Sequence, residues 1–365
     1  MTEIQCSFLI RHEECTYFTG MKGIHQILLP LVFIFSACAD QNPPPPAAVD
    51  QDGPELSLRV EAIDDRLTQQ LFGAEPSFEV LFGGMEWSEG PLVLPDGSVI
   101  CSDVPNNQIL RWTPENGKEI WLQNSGNAPD DYSSEPGSNG LLLDQDGRLL
   151  LCQHGARSVS RMKRDWQNPA PEYEVLAENF GEKRFNSPND LTLAPDGSIL
   201  FTDPIYGLPG RAESKLRELD YCGVFRLTPT GMVQLLTKAY SRPNGIGISP
   251  DGNTLYVANS DGDNAIVTAT QILDTAFTLG PVDTLINATN LTAKEVGYPD
   301  GLAVGKNGRI FATAPGGVWV MEPDGTLIGK IRTGLPVSNV TLSPTEDYLY
   351  LTSDFYLIRV KLNHP

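Results

Sequence analysis

Six times along this chain the same short phrase of residues returns, and no other feature restricts its fold so tightly. Each copy places one polar residue ahead of an apolar run and a tight turn. The polar residues are Glu89 (in Trp87-Ser88-Glu89-Gly90-Pro91), Asn139 (Ser138-Asn139-Gly140), Asn189 (Ser187-Pro188-Asn189-Asp190), Asn244 (Arg242-Pro243-Asn244-Gly245), Asp300 (Pro299-Asp300-Gly301) and Asn339 (Ser338-Asn339-Val340). After each, apolar positions alternate as in Leu191-Thr192-Leu193, pass through a turn such as Pro195-Asp196-Gly197, and resume as in Ile199-Leu200-Phe201. Alternation with period two, broken by Pro-Asp-Gly, reads as two antiparallel strands joined by a tight turn. The turn glycine supplies the positive φ that other residues adopt only at a cost.

A third strand running into a further turn follows in most copies, as from Gly223 to Pro229 and from Gly317 to Pro323. Repeats of about 40–50 residues with about four strands each are the mark of a propeller. The expected fold is therefore all-β, a six-bladed β-propeller. The last copy is followed by Phe355 to Leu362, which ends too soon to complete a blade. A strand near residues 77–82 is expected to complete it and so remove the open sheet edge.

In a closed ring the six polar residues meet near the axis. Glu89 and Asp300 with Asn189 and Asn244 offer only hard oxygen donors, a set that favours Ca2+, with another divalent cation as the alternative, over zinc. Converging carboxylates without a cation would repel each other. The competing reading is that each polar residue caps the loop entering its strand, and for Asn339, followed by Val340, that reading is preferred.

The remaining composition narrows the partners. A formal charge of -20 argues against nucleic acid and against an anionic membrane surface. Residues 56–365, the expected propeller, hold Cys101, Cys152 and Cys222, an odd set without paired spacing. They read as small buried hydrophobes rather than a disulfide framework or nucleophiles. The chain has no Gly-rich phosphate loop, no Cys-x-x-Cys and no Gly-x-Ser-x-Gly. Residues 21–38 combine a basic start, an apolar run and small residues before Cys38, the pattern of an export signal. Phe35-Ser36-Ala37-Cys38 resembles a bacterial lipobox, which implies a lipid anchor on Cys38 and a periplasmic or cell-envelope location. A plainly cleaved, secreted form is the alternative. Residues 1–20 are then expected to precede the true start at Met21, and residues 39–55 form a Pro-rich linker.

The four motifs around Glu89, Asn189, Asn244 and Asp300, in that order, resemble the gluconolactonase, regucalcin and senescence-marker-protein family of six-bladed calcium lactonases. Ser138-Asn139-Gly140 and Gln153-His154-Gly155-Ala156-Arg157 resemble its bacterial secreted branch, which usually has an acidic residue where Gln153 stands. The resemblance implies a lactone substrate, with Glu89, Asn244 and Asp300 as metal ligands and Asn189 touching metal or substrate. It makes Asp300 the candidate base, with Asp190 beside it as the other. His154 is expected to orient substrate or shuttle a proton, the alternative being a structural histidine at a blade edge. Asn139 and Arg157 are expected to contact substrate hydroxyls. The insertion from Tyr206 to Cys222 is expected to cover the channel mouth. Related hydrolases acting on hydrophobic lactones or phosphotriesters, and a non-catalytic calcium-binding propeller, are the competing functions. Oligomeric state is not encoded in any of these patterns.

Overall fold

A computed structural model describes residues 53–363. The expected leader, the lipobox and nearly all of the expected linker lie outside the described residues. Six four-layered antiparallel sheets stand around a common axis. They cover residues 88–123, 138–177, 191–237, 243–287, 302–332, and 339–361 together with 78–82; we number these blades 1 to 6 in that order. The innermost strand of each begins within two residues of the polar register residue, as in Ser88–Val93 of blade 1 and Pro243–Ile248 of blade 4.

Ring closure follows the expectation. The strand Phe78–Phe82 pairs antiparallel with Tyr356–Lys361, so blade 6 takes its outermost strand from the other end of the chain. One addition was not legible in the repeats. The strand Arg59–Ala62 extends blade 5 to five strands by pairing with Leu327–Arg332. Glu61 is held there by Arg332 Nε at 2.8 Å. A helix, Asp65–Phe72, follows, capped by Asp64, whose side chain accepts from Leu67 N at 2.9 Å. Leu71 and Phe72 bury into the apolar seam between blades 5 and 6. The N-terminal segment thus clamps both blades on either side of the closing point.

Each of the six seams between neighbouring blades holds one apolar cluster. The seam between blades 2 and 3 is aromatic, with Phe185, Phe201 and Phe225 centroids 5.1–5.5 Å apart. Because both faces of a blade are packed, the second strands lose their alternation. Val99–Asp103, Ile199–Asp203 and Ile310–Ala314 are buried at every position. Cys101, Cys152 and Cys222 are free and buried, as core residues should be, and burial pushes all three thiols up, away from reactivity. Among the described residues no helix is long and apolar enough to cross a membrane.

Near the axis the blades touch backbone to backbone. Gly140 N donates to Asn189 O at 2.8 Å, and Gly245 N donates to Asp300 O at 2.8 Å. A Cβ on Gly245 would lie 2.2 Å from Asp300 O. The glycine after the register residue is therefore a close-approach position, not a turn glycine.

Candidate active site

The register residues are aimed by a second set of polar side chains. Asp203, at the end of a buried second strand, accepts from Asn186 N at 2.9 Å and Ser187 N at 2.8 Å, which fixes the loop entering Asn189. Asp103 accepts from Glu86 N at 3.1 Å ahead of Glu89. Asn259 Oδ1 accepts from Arg242 N at 2.8 Å ahead of Asn244. In blade 2 the matching strand end is Gln153, whose Nε2 donates to Ser125 O at 2.7 Å. The same local device thus serves Glu89, Asn189 and Asn244, while Asp300 is held through its own N, which donates to Thr313 Oγ1 at 2.8 Å.

Glu89, Asn139, Asn189, Asn244 and Asp300 line one cavity of about 400 Å³ at the end of the axis. All but Asp300 are nearly or fully buried, with Glu89 2 % exposed. Asn189 Oδ1, Asn139 Oδ1 and Asp300 Oδ1 are buried with no hydrogen-bond partner. Buried polar atoms are ordinarily satisfied, so several orphaned oxygens in one cavity call for a ligand. Asn244 Nδ2 donates to Ser260 Oγ at 3.0 Å, which turns its oxygen away from that bond. Trp87 Nε1 and Gly90 N approach the Glu89 carboxylate at 3.4 and 3.3 Å. The carboxyl groups are strained electrostatically. Burial, then the neighbouring Asp190 charge, pushes Glu89 up to about 8. Asp300 is raised well above the usual range by burial and by the charges of Glu89, Asp190 and Glu135.

Among the described residues no three His, Cys, Asp or Glu side chains form a metal-holding group. The ring instead pairs two carboxylates with two amides, and such a set of hard oxygens, those of Asn189 and Asp300 partnerless, fits a divalent oxygen-seeking cation. A cation there would offset the repulsion that now raises Glu89 and Asp300.

Asp190 and Asn339 face elsewhere. Both line a second cavity, of about 290 Å³, along the inner strands beyond the register residues. Asp190 accepts from Leu191 N at 2.9 Å and is further bonded by the Ile246 backbone and the Asn339 side chain; burial raises it to about 7. Asn339 Oδ1 accepts from Val340 N at 2.8 Å, the local cap expected of it.

His154 and Arg157, expected to meet substrate, lie behind the cavity wall and do not line it. His154 is fully buried beneath Gly207, where an added Cβ would come 2.5 Å from the imidazole, and it meets the cavity only through Glu135, Oε2 to Nδ1 at 3.4 Å. Arg157 is spent on backbone, donating from Nε to Phe185 O at 2.8 Å and Asn186 O at 3.1 Å. The repeat pattern gave no position to Glu135, Tyr206, Arg211 or Tyr298, which also line the cavity. Glu135 and Tyr298 come from segments between blades, Tyr206 and Arg211 from the loop between the second and third strands of blade 3. Tyr206 and Arg211 do belong to the insertion that its length singled out.

A six-bladed propeller with hard oxygen donors converging at one end of its axis defines the class. Within it, residues 87–355 match the model of the SMP-30/gluconolactonase/LRE-like region. A gluconolactonase of Zymomonas mobilis is 36% identical over 320 residues, 84% of this chain and 85% of that one. The solved structure of a gluconolactonase from Xanthomonas campestris superposes with a TM-score of 0.71 at 29% identity, covering 85% of this chain and 98% of the other. Regucalcin of Agrobacterium tumefaciens, at 18% identity and a TM-score of 0.61 over 79% and 95%, shares the fold. The chain belongs to the SMP-30/gluconolactonase/LRE family and is a gluconolactonase homologue.

Proposed function

We propose that the axial cavity hydrolyses a lactone ring, a sugar lactone such as D-glucono-1,5-lactone foremost, with a divalent cation, calcium by donor chemistry, held by Glu89, Asn189, Asn244 and Asp300. The observation that carries this is the pair of buried, partnerless oxygens, Asn189 Oδ1 and Asp300 Oδ1, in a cavity shared with Glu89 and Asn244. Family membership and the gluconolactonase relative support the substrate class.

When bound, such a cation supplies Lewis-acid polarisation of the lactone carbonyl. Asp300 is the base: it takes a proton from the water whose oxygen bonds to the carbonyl carbon. The ring C–O bond then breaks, and the departing ring oxygen takes up the proton, leaving the open hydroxy acid. Asn139 and Asn189 position substrate hydroxyls through their amides. Asp190, set outside the cavity and hydrogen-bonded on the far side, supports the ring and is not the base. We further propose export, with a lipid on Cys38; a wild-type protein that incorporates no labelled fatty acid ends the lipid claim.

The test is a screen of purified protein against D-glucono-1,5-lactone, an aliphatic lactone and an aryl phosphotriester, in calcium and in EGTA. Opening of the sugar lactone only in calcium is expected. Turnover indifferent to the chelator overturns the cation, and failure to open any lactone overturns the function.

A further inference from the structure

Two guanidinium groups of the cavity wall form no ion pair among the described residues. Arginines of this acidic chain are mostly ion-paired, as Arg226 is with Asp196 at 2.5 Å and Arg309 with Glu322 at 2.8 Å. Arg211 and Arg242 line the cavity, yet neither has an acidic partner within 4.0 Å among the described residues. The nearby carboxylates lean toward other groups, although Asp261, lowered first by its Ser241 hydrogen bond, is lowered also by the Arg242 charge. Glu135 Oε2 faces His154 Nδ1 at 3.4 Å, and Asp261 accepts from Ser241 Oγ at 2.5 Å. In a chain of net charge -20, two free arginines on one cavity call for an anion from outside.

Their placement says where that anion would sit. Arg242 precedes Asn244 by two residues at the start of the inner strand of blade 4, a rise of about 7 Å. It is partly exposed, whereas Asn244 is buried, so the step runs outward. The Arg211 guanidinium lies 5.7 Å from the Tyr206 ring centroid. Tyr206 in turn donates from its hydroxyl to Ser260 O at 3.1 Å, beside the Ser260 hydroxyl that receives Asn244. Both arginines thus belong to the blade 3 and blade 4 side of the cavity, on its more exposed wall.

Resting on the lactonase reading above, we propose that Arg211 and Arg242 form an anion subsite, and that the preferred substrates are lactones bearing a carboxylate or phosphate on the carbon remote from the carbonyl. A lactone whose carbonyl faces the buried donors turns its far carbon toward the more exposed wall that carries the two arginines. Guanidinium forks bind either anion through paired N–H donors.

The test compares kcat/KM of the full protein for neutral D-glucono-1,5-lactone, its 6-phosphate and a lactone of glucaric acid. At low salt at least one anionic substrate should exceed the neutral one by about tenfold or more, and the ratio should shrink in high salt. Which anion leads identifies the substituent. Arg211→Gln and Arg242→Gln should each cut the anionic-to-neutral ratio by about fivefold, the double variant bringing it near one. A wild-type ratio near one, or a ratio unchanged in the double variant, overturns the subsite while leaving the lactonase reading intact. If none of the three lactones is opened, the lactonase reading has failed, and calorimetric binding of 6-phosphogluconate decides the subsite. Binding that the double variant loses supports it, and no binding by the wild type overturns it.

Discussion

Asp300 and Asp190 stand on the two sides of one axial ring, and their surroundings differ in a single respect. Asp300 faces the 400 Å³ cavity with Oδ1 unpartnered, while Asp190 faces the inner channel with Leu191, Ile246 and Asn339 bonded to it. Both carboxyl groups are buried and both are raised. Burial alone therefore does not mark a functional carboxylate; missing partners do. Asp190 is bonded by groups of blades 3, 4 and 6, whereas Asp300 Oδ1 has no hydrogen-bond partner, the difference on which the proposed ligand role of Asp300 rests.

The largest predicted effect breaks the comparison directly. Asp300→Asn should lower kcat/KM on the lactone by about 10³-fold or more, the scale of removing a central electrostatic or proton-transferring group. Its melting temperature without cation should hold or rise, since one of two repelling carboxyls is gone. Near-full turnover in that variant would falsify the role of Asp300 as base. Next in size is cation removal. Chelation should abolish turnover and lower the melting temperature, because a ligand held 100-fold above its Kd stabilises by about 2.7 kcal/mol. Equal melts in calcium and EGTA would remove the cation from the cavity.

Asp190→Ala should show the opposite balance. It strands the Leu191 and Ile246 N–H groups, and each unsatisfied buried donor costs about 1–3 kcal/mol. A clear fall in melting temperature is expected, with turnover of the folded fraction kept within about tenfold. A loss of turnover equal to that of Asp300→Asn, at unchanged stability, would return Asp190 to the list of bases.

The smallest effect concerns pH. Glu89, at about 8, and Asp190 and Asp203, each at about 7, all sit above their ordinary values, chiefly through burial. The folded protein then keeps protons that the unfolded chain releases from about pH 4 upward. Their contribution to stability is complete below that point, declines as pH rises through 7 to 8, and is level beyond. Urea midpoints in EGTA should fall from pH 5 to pH 8. Added calcium should flatten or reverse the trend, since the cation favours the ionised forms that Glu89 and Asp300 otherwise resist. A rising midpoint in EGTA would contradict the assigned shifts.

Much of this was legible in the chain. The six copies announce six blades, and the short last copy announces the borrowed strand at Phe78–Phe82, because alternation and Pro-Asp-Gly turns are local signals. The register residues reach the axis because each sits at the same place in the same repeat. Less legible was the depth of His154 and Arg157, which a motif names without placing. His154 is roofed by Gly207, and Arg157 Nε is held by the carbonyls of residues 185 and 186. Glu135 and Tyr298 were invisible for the converse reason: they lie between blades, where no period assigns them a direction, and Arg211 was covered only by the expectation that its whole insertion roofs the channel.

The sequence by itself determined the strands, their register and the five donor side chains that share the cavity. Those follow from patterns a few residues long, repeated. Only the tertiary structure decided which oxygens stay without partners. Asn339 of blade 6 bonds Asp190 of blade 3, the Ile246 backbone of blade 4 does so too, and nothing of the kind reaches Asp300 Oδ1. Hydrogen-bond supply and desolvation at the axis are set by groups far apart along the chain, and they exist only once the ring has closed.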